Sequence, residues 1–347
     1  MTNFKHLTDA RPARIALVGA GRIAQSHLEA IAVASGLTLA AVVEPRAAAG
    51  QAVAEQKRVP WFERYDDPRL LELVDAVLVC APPNVHHAIA KWFLEHDKHV
   101  LCEKPLTITS VEADQLVGLA KSRGLELMMA SKFRYVDDLM KAKALIEAGI
   151  LGKIVLFENT FCGKVVMKDR WNAQRESSGG GVLIDNGTHS IDIARYLLGP
   201  IESVQAQAGV SAQGLEVEDT VRMQFRTRAG VIGSVDLSWS IAKDTDAYVS
   251  VYGSDGTIVI GWQGSRYRQD GNPKWVAFGT GYEKTTALRR QLENFVGVMR
   301  GTELPLITPD DAVASVRAIE TAYASMRHDH WVPVAASIAP PAGKAGA

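Results

Sequence analysis

Cysteine is scarce in this chain. Three residues, Cys80, Cys102 and Cys162, occur in 347. They lie far apart and form no Cys-x-x-Cys pair, which excludes a disulfide framework and a cysteine-built metal or redox motif, and fits a reducing cytoplasm. Charge of one sign is also lacking. Lys and Arg number 38 against 39 Asp and Glu, the formal net charge is −1, and no strongly basic stretch occurs. Binding to nucleic acid or to a membrane surface therefore has no electrostatic footing. No apolar run reaches transmembrane length, and the N-terminal Met-Thr-Asn-Phe-Lys-His has no apolar signal core. What is present is the composition of a soluble globular protein, 47% hydrophobic and 22% charged, long enough for two domains that each bury a core.

The most informative segment is Arg-Ile-Ala-Leu-Val-Gly-Ala-Gly-Arg-Ile-Ala-Gln-Ser-His at 14–27. An apolar run enters a Gly-x-Gly-x-x-Ala turn at Gly19, Gly21 and Ala24, and a helical pattern follows from Arg22. In this strand–turn–helix setting the glycines mean dinucleotide binding. Gly19 permits the tight turn, Gly21 lets a pyrophosphate approach the backbone, and Ala24 lets the helix pack closely on the sheet. The phosphates then lie at the helix N-terminus, where unpaired N–H groups and the dipole favour an anion. The next apolar run, 37–43, ends at Glu44, about 20 residues beyond Ala24, where a carboxylate binds the adenine ribose hydroxyls. Such a carboxylate repels a 2′-phosphate, which favours NAD. Arg46, two residues on, softens that preference and leaves NADP open.

From Arg14 to about Arg134, β runs (14–18, 37–43, 75–80, 98–101, 125–129) alternate with helical patterns (22–34, 46–57, 85–96, 109–122). The alternation predicts a doubly wound parallel sheet with helices on both faces. One helix (137–148) then ends at Gly149, and β runs with two-fold alternation follow at 153–161, 202–208, 219–226, 231–239, 247–252 and 257–260. They leave little room for crossover helices, which predicts a large, open, mostly antiparallel sheet. Helices return at 284–300 and 309–327, and Trp331-Val-Pro-Val reads as a last short strand. The expected domains are 1–134, a Rossmann dinucleotide-binding domain, and 135–334, a substrate-binding and oligomerisation domain. A flexible low-complexity tail is expected at 335–347.

Three further motifs carry chemistry. Cys-Ala-Pro-Pro-Asn-Val-His-His (80–87) follows a strand of the first sheet, at a carboxyl end where ligands bind. Glu103-Lys104-Pro105 follows the next strand. A lysine there can hold a nicotinamide ribose and polarise a substrate oxygen, and Pro105 restricts its backbone. Gly179-Gly-Gly-Val-Leu-Ile-Asp185-Asn-Gly-Thr-His189-Ser-Ile-Asp192 predicts a helix that starts after the glycines. Asp185 and His189 share one face of it, and Asp192 is spaced to orient the imidazole. A histidine beside a carboxylate makes a general base near neutral pH. His27 reads as packing the first helix, and of His86 and His87 one at most needs to face a cofactor. Asp185, His189 and a further His also suggest zinc, but no other ligand has metal-like spacing.

In this order and at this spacing, Gly-x-Gly-x-x-Ala with His27, Pro-Asn-x-x-His (Pro83, Asn84, His87), Glu-Lys-Pro (103–105), Asp-x-x-x-His (185–189) and Val-Tyr-Gly-Ser-Asp-Gly (251–256) resemble the Gfo/Idh/MocA family of NAD(P)-dependent oxidoreductases. The likeness spans roughly residues 12 to 334. It implies a Rossmann domain followed by an α/β domain whose sheet face forms a homodimer or homotetramer. It also implies interconversion of a secondary hydroxyl and a ketone on a sugar, cyclitol or nucleotide sugar. Carried over, it makes Lys104, Asp185 and His189 the catalytic residues. The cofactor would meet Gly19, Gly21, Arg22 and Ile23 at the turn, Glu44 at the ribose, and Pro82, Asn84, His87, Glu103 and Lys104 towards the nicotinamide. One position departs. Many members carry an Asn-x-Arg-like segment after the 125–129 strand; here Lys132 stands near the Asn position, and Arg134 keeps the Arg position as a substrate contact.

The loop 162–181 holds Lys164, Lys168, Arg170, Trp171, Asn172 and Arg175 just before the expected catalytic helix. It reads equally as an ordinary solvated loop or as a cover for the substrate. As a cover, Trp171 would stack on a sugar ring, with Arg170 and Asn172 on polar groups of a negatively charged substrate. A sensing regulator on the same scaffold, without turnover, is the alternative to an enzyme. The Lys104, Asp185 and His189 set speaks against it, because a sensor needs no proton relay. Reduction of an imine or enone is a third reading, less suited to an Asp-x-x-x-His pair.

Overall fold

The computed structural model describes residues 4–8 and 10–335; the expected tail lies, beyond Ala335, outside the described residues. Six apolar runs form strands β1 (Ala13–Val18), β2 (Leu37–Val43), β3 (Trp61–Phe62), β4 (Ala76–Val79), β5 (His99–Glu103) and β6 (Leu127–Ala130). They pair in parallel in the order β3-β2-β1-β4-β5-β6. Helices Arg22–Val33, Ala47–Lys57, His86–Glu95 and Ser110–Arg123 link them. A parallel sheet is covered on both faces, which is why Ile15, Leu17, Val77, Leu78 and Leu101 are wholly buried. The chain order reverses between β1 and β4, and a crevice opens there at the carboxyl ends. β3 and a short helix at Pro68–Leu73 were not expected from the sequence.

The second half forms a sheet of nine strands: β7 (Ile154–Cys162), β8 (Ile201–Ala208), β9 (Thr220–Thr227), β10 (Ile232–Ser238), β11 (Ala247–Gly253), β12 (Gly256–Gly261), β13 (Ser265–Gln269), β14 (Val276–Gly279) and β15 (Val332–Pro333). Its order is β14-β13-β12-β11-β7-β10-β9-β8-β15, and the neighbours run antiparallel except β7 and β10. Helices pack on one face of this sheet. The helices Lys284–Met299 and Pro309–His328 then return to the first half. The former lies on Arg22–Val33, where Glu293 accepts from Ser35 N and Oγ, both at 3.0 Å. The latter lies on Ser110–Arg123, where Ser110 Oγ donates to Glu320 at 2.6 Å. Residues after 134 thus brace both sheets. Among the described residues no helix is long and apolar enough to cross a membrane.

His99 in β5 is 4% exposed, and its Nδ1 accepts the Glu126 N–H at 3.0 Å, so the ring is neutral. Burial brings its pKa down to about 4. Below about pH 6.5 the unfolded chain takes up a proton that the folded chain refuses, so stability is lost as pH falls through that range. Buried His189 adds to the same loss. The melting temperature should therefore drop by several degrees between pH 7 and pH 5. A flat profile over that interval would contradict the neutral state of these rings.

Candidate active site

β1 ends in the glycine turn. Gly19 has φ of +97°, and a Cβ there would meet Cys80 O at 2.8 Å, so only glycine fits. Beside Gly21 a Cβ would meet nothing within 4 Å, so the space over the turn is open. Gly21 caps the helix Arg22–Val33 without a side-chain bond, which leaves the first N–H groups of Arg22 and Ile23 facing that space. Glu44 ends β2 beside the turn and is 3% exposed; it accepts from Ala20 N at 2.8 Å and from Arg46 Nε at 2.7 Å. Burial alone would raise its pKa, but the Arg46 and Ala20 bonds hold it below the usual carboxylate range. Arg46, expected to soften the preference for NAD, clamps the Glu44 carboxylate.

The carboxyl ends of β4, β5 and β6 supply the next residues. His86 is buried, with its ring nitrogens on Pro105 O at 2.9 Å and Ala81 O at 2.8 Å, and so is structural; His87 is half-buried. Asn84 is exposed, Pro82 is half-buried, and Pro83 lines the cleft. Glu103 requires a correction. Its carboxylate is buried, accepts from the Lys104 N–H at 3.2 Å and meets His27 Nε2 at 2.8 Å, so it fixes the turn from within and does not face a cofactor. Burial would raise its pKa, but His27, Lys132 and Lys104 hold it low. His27, expected merely to pack, is the ring that completes this pair.

The triple glycine brings the third element in. A Cβ at Gly180 would run into Tyr323 Oη and one at Gly181 into Glu218 O, so the backbone runs where no side chain fits. The expected helix starts as a π-helical turn, Leu183–Gly187, before the regular helix Thr188–Leu198. Lys104 Nζ donates to Asp185 Oδ1 at 2.6 Å and to Asp185 O at 2.9 Å. Asp185 therefore grips Lys104, a partner that its place on the His189 face of the helix did not indicate. His189 is 6% exposed, its Nδ1 is buried with no hydrogen-bond partner among the described residues, and its ring packs edge-on against Phe133 at 5.0 Å. Burial, then the charges of Lys132 and Lys104, push its pKa well below 6.5, so it is neutral at pH 7.

Two more expectations need correction. Asp192 does not orient the imidazole. It is wholly buried and accepts from Arg134 Nε at 2.9 Å, Arg134 Nη2 at 2.7 Å and Ser131 Oγ at 2.6 Å. Arg134 in turn spends Nη1 on Leu306 O and Asp311 Oδ2, at 3.0 and 2.9 Å, and at 4% exposure it braces the interior and does not line the cleft. In the loop, Trp171 and Asn172 line the cleft with Pro83, Lys104, Pro105, Ser178, Ile184 and Asp185. Arg170 turns instead onto Met167 Sδ at 3.8 Å, and Arg175 is held by Glu216. Lys132, singled out in the sequence only as a departure, is the missed residue: its charge is felt at Glu103 and at His189.

Residues 13–131 match the oxidoreductase family with an NAD-binding Rossmann fold, and residues 139–259 match the GFO/IDH/MocA C-terminal domain. The myo-inositol 2-dehydrogenase of Thermotoga maritima is 30% identical over 254 residues, covering 71% of this chain and 74% of the relative. The chain belongs to the GFO/IDH/MocA family. The levoglucosan dehydrogenase of Pseudarthrobacter phenanthrenivorans is 29% identical over 238 residues, and the chain spans 60% of that relative's length, through 60% of its own. The structure of GenD2 from gentamicin A biosynthesis in complex with NAD aligns with a TM-score of 0.83 at 26% identity, covering 97% of this chain and 99% of that one. GFO/IDH/MocA membership makes the six-stranded sheet the NAD-binding half. The open space at Gly21, the uncapped helix end and the Glu44 carboxylate fit that group.

Proposed function

We propose that this oxidoreductase interconverts a secondary hydroxyl and a ketone on a sugar or cyclitol with NAD as cofactor. The observation that carries the reading is the meeting of Lys104 and Asp185 at 2.6 Å on the cleft wall, with a neutral His189 four residues on from Asp185 and close enough to feel the Lys104 charge. Relatives named as myo-inositol and levoglucosan dehydrogenases support the substrate class. When bound, NAD supplies the hydride acceptor. His189 takes the hydroxyl proton, and in the reductive direction returns it. The Lys104 ammonium stabilises negative charge as it grows on the substrate oxygen, where stabilisation counts most. Asp185 holds that ammonium in place, and Trp171 offers its face to the ring. Glu44 disfavours a 2′-phosphate, so NAD is preferred to NADP. This reading places contact between copies, as a homodimer or homotetramer, on the uncovered face of the nine-stranded sheet.

The test follows nicotinamide absorbance with NAD and with NADP across a panel of sugars and cyclitols. Turnover of at least one secondary alcohol, faster with NAD, is expected. NAD binding without turnover anywhere on the panel would favour a sensor.

A further inference from the structure

Lys132 has no task in this mechanism. It follows β6 at the carboxyl edge of the six-stranded sheet, and β6 pairs with β5 so that Ala130 lies against Glu103. That register sets Lys132 beside Lys104. Its Nζ lies 5.4 Å from the centre of the Phe133 ring, the same ring on which His189 packs. Among the described residues its ammonium has no hydrogen bond and no ion pair. Lys284 approaches from the other side. It opens the helix Lys284–Met299, which packs on Lys132–Tyr135, and Tyr282 just before it stacks on Phe133 at 5.3 Å. It too is unpartnered among the described residues.

The carboxylates within reach are committed elsewhere, Glu103 to His27 and the Lys104 amide, Asp185 to Lys104. A half-buried ammonium with no protein acceptor is costly to keep charged. Burial, with Lys104 and Lys284 adding to it, brings the Lys132 pKa down to about 8, which leaves it cationic at pH 7. The site thus carries a surplus of positive charge with unused donors. An ammonium with unused donors suits an anion. We propose that Lys132, backed by Lys284, receives a carboxylate of the substrate, which makes the substrate a sugar acid or polyol acid. The assignment rests on the dehydrogenase reading of the cleft.

The test compares kcat/KM for D-gluconate against D-sorbitol and for D-glucuronate against D-glucose, with glucose 6-phosphate as a phosphate arm. It is run on the wild-type protein, Lys132→Met and Lys132→Arg. The wild type should prefer the acids. Lys132→Met should lower the acid-to-neutral ratio about ten- to a hundredfold, the worth of a hydrogen bond to a charged group, and Lys132→Arg should retain most of it. A wild-type ratio near one, a ratio unchanged in Lys132→Met, or a preference confined to the phosphate ester overturns the proposal. The wild-type ratio stands even if a variant fails to fold. Calorimetry of gluconate with the NADH-loaded protein needs no turnover. Binding that Lys132→Met abolishes, in a protein that turns over nothing, would keep the anion site and discard the dehydrogenase. Turnover of neutral sugars without binding of either acid would do the reverse.

Discussion

Replacing His189 with alanine should lower kcat by about a hundred- to ten-thousandfold, the usual contribution of a positioned general base. NAD affinity should stay close to wild type, because the glycine turn and Glu44 lie on other elements, β1 and β2. The pH profile gives the assignment a second handle. Burial and the charges of Lys132 and Lys104 hold the His189 pKa well below 6.5. The acid limb of kcat/KM should therefore fall below pH 6.5, where the imidazole starts to carry a proton and can no longer accept one. Lys132→Met removes one of the two cations that depress it and should move the limb to higher pH. Full turnover in His189→Ala, or an acid limb unmoved by Lys132→Met, would contradict the role given to this ring.

The second large effect falls on stability. Arg134→Met should destabilise the fold by about 3–5 kcal/mol, because it strands the Asp192 carboxylate in the interior without its counter-ion. Arg134 is 4% exposed and Asp192 not at all, and the pair ties the end of β6 to the helix Thr188–Leu198. Asp311, in the first turn of Pro309–His328, is drawn to the same guanidinium at 2.9 Å and to Arg195 at 3.2 Å. The double variant Arg134→Met with Asp192→Leu removes both charges and should recover much of the loss. Urea unfolding measures both. A substrate-binding Arg134 would give the opposite pattern, a raised KM with unchanged unfolding.

The nucleotide half was legible because each of its signals is local. An apolar run, a glycine that must adopt positive φ and a following helix lie within a few residues, and buried parallel strands read as continuous apolar stretches. The missed elements lacked that signal. Trp61–Phe62 is two residues long, and Ser-Arg-Tyr-Arg-Gln at 265–269 is an outer strand whose charges mask its alternation. The proposed trio of Lys104, Asp185 and His189 could be named from sequence motifs, but its partnerships could not. Spacing along a helix placed Asp192 near His189, whereas a guanidinium delivered by β6 claims it. Similarly, Asp185 is claimed by Lys104 from β5, across 81 residues of chain. Helical periodicity describes neighbours on one element; these ion pairs join elements that only the tertiary fold brings together. The π-helical turn at Leu183–Gly187, which leaves the Asp185 carbonyl to Lys104, has no periodic trace in so short a segment.

The most direct measurement is a crystal structure of the protein with NADH and a bound substrate or competitive analogue. The account predicts the reacting oxygen within hydrogen-bond reach, roughly 2.6–3.2 Å, of both Lys104 Nζ and a ring nitrogen of His189. An oxygen held elsewhere in the cleft, beyond hydrogen-bond reach of both Lys104 Nζ and the imidazole, would contradict it.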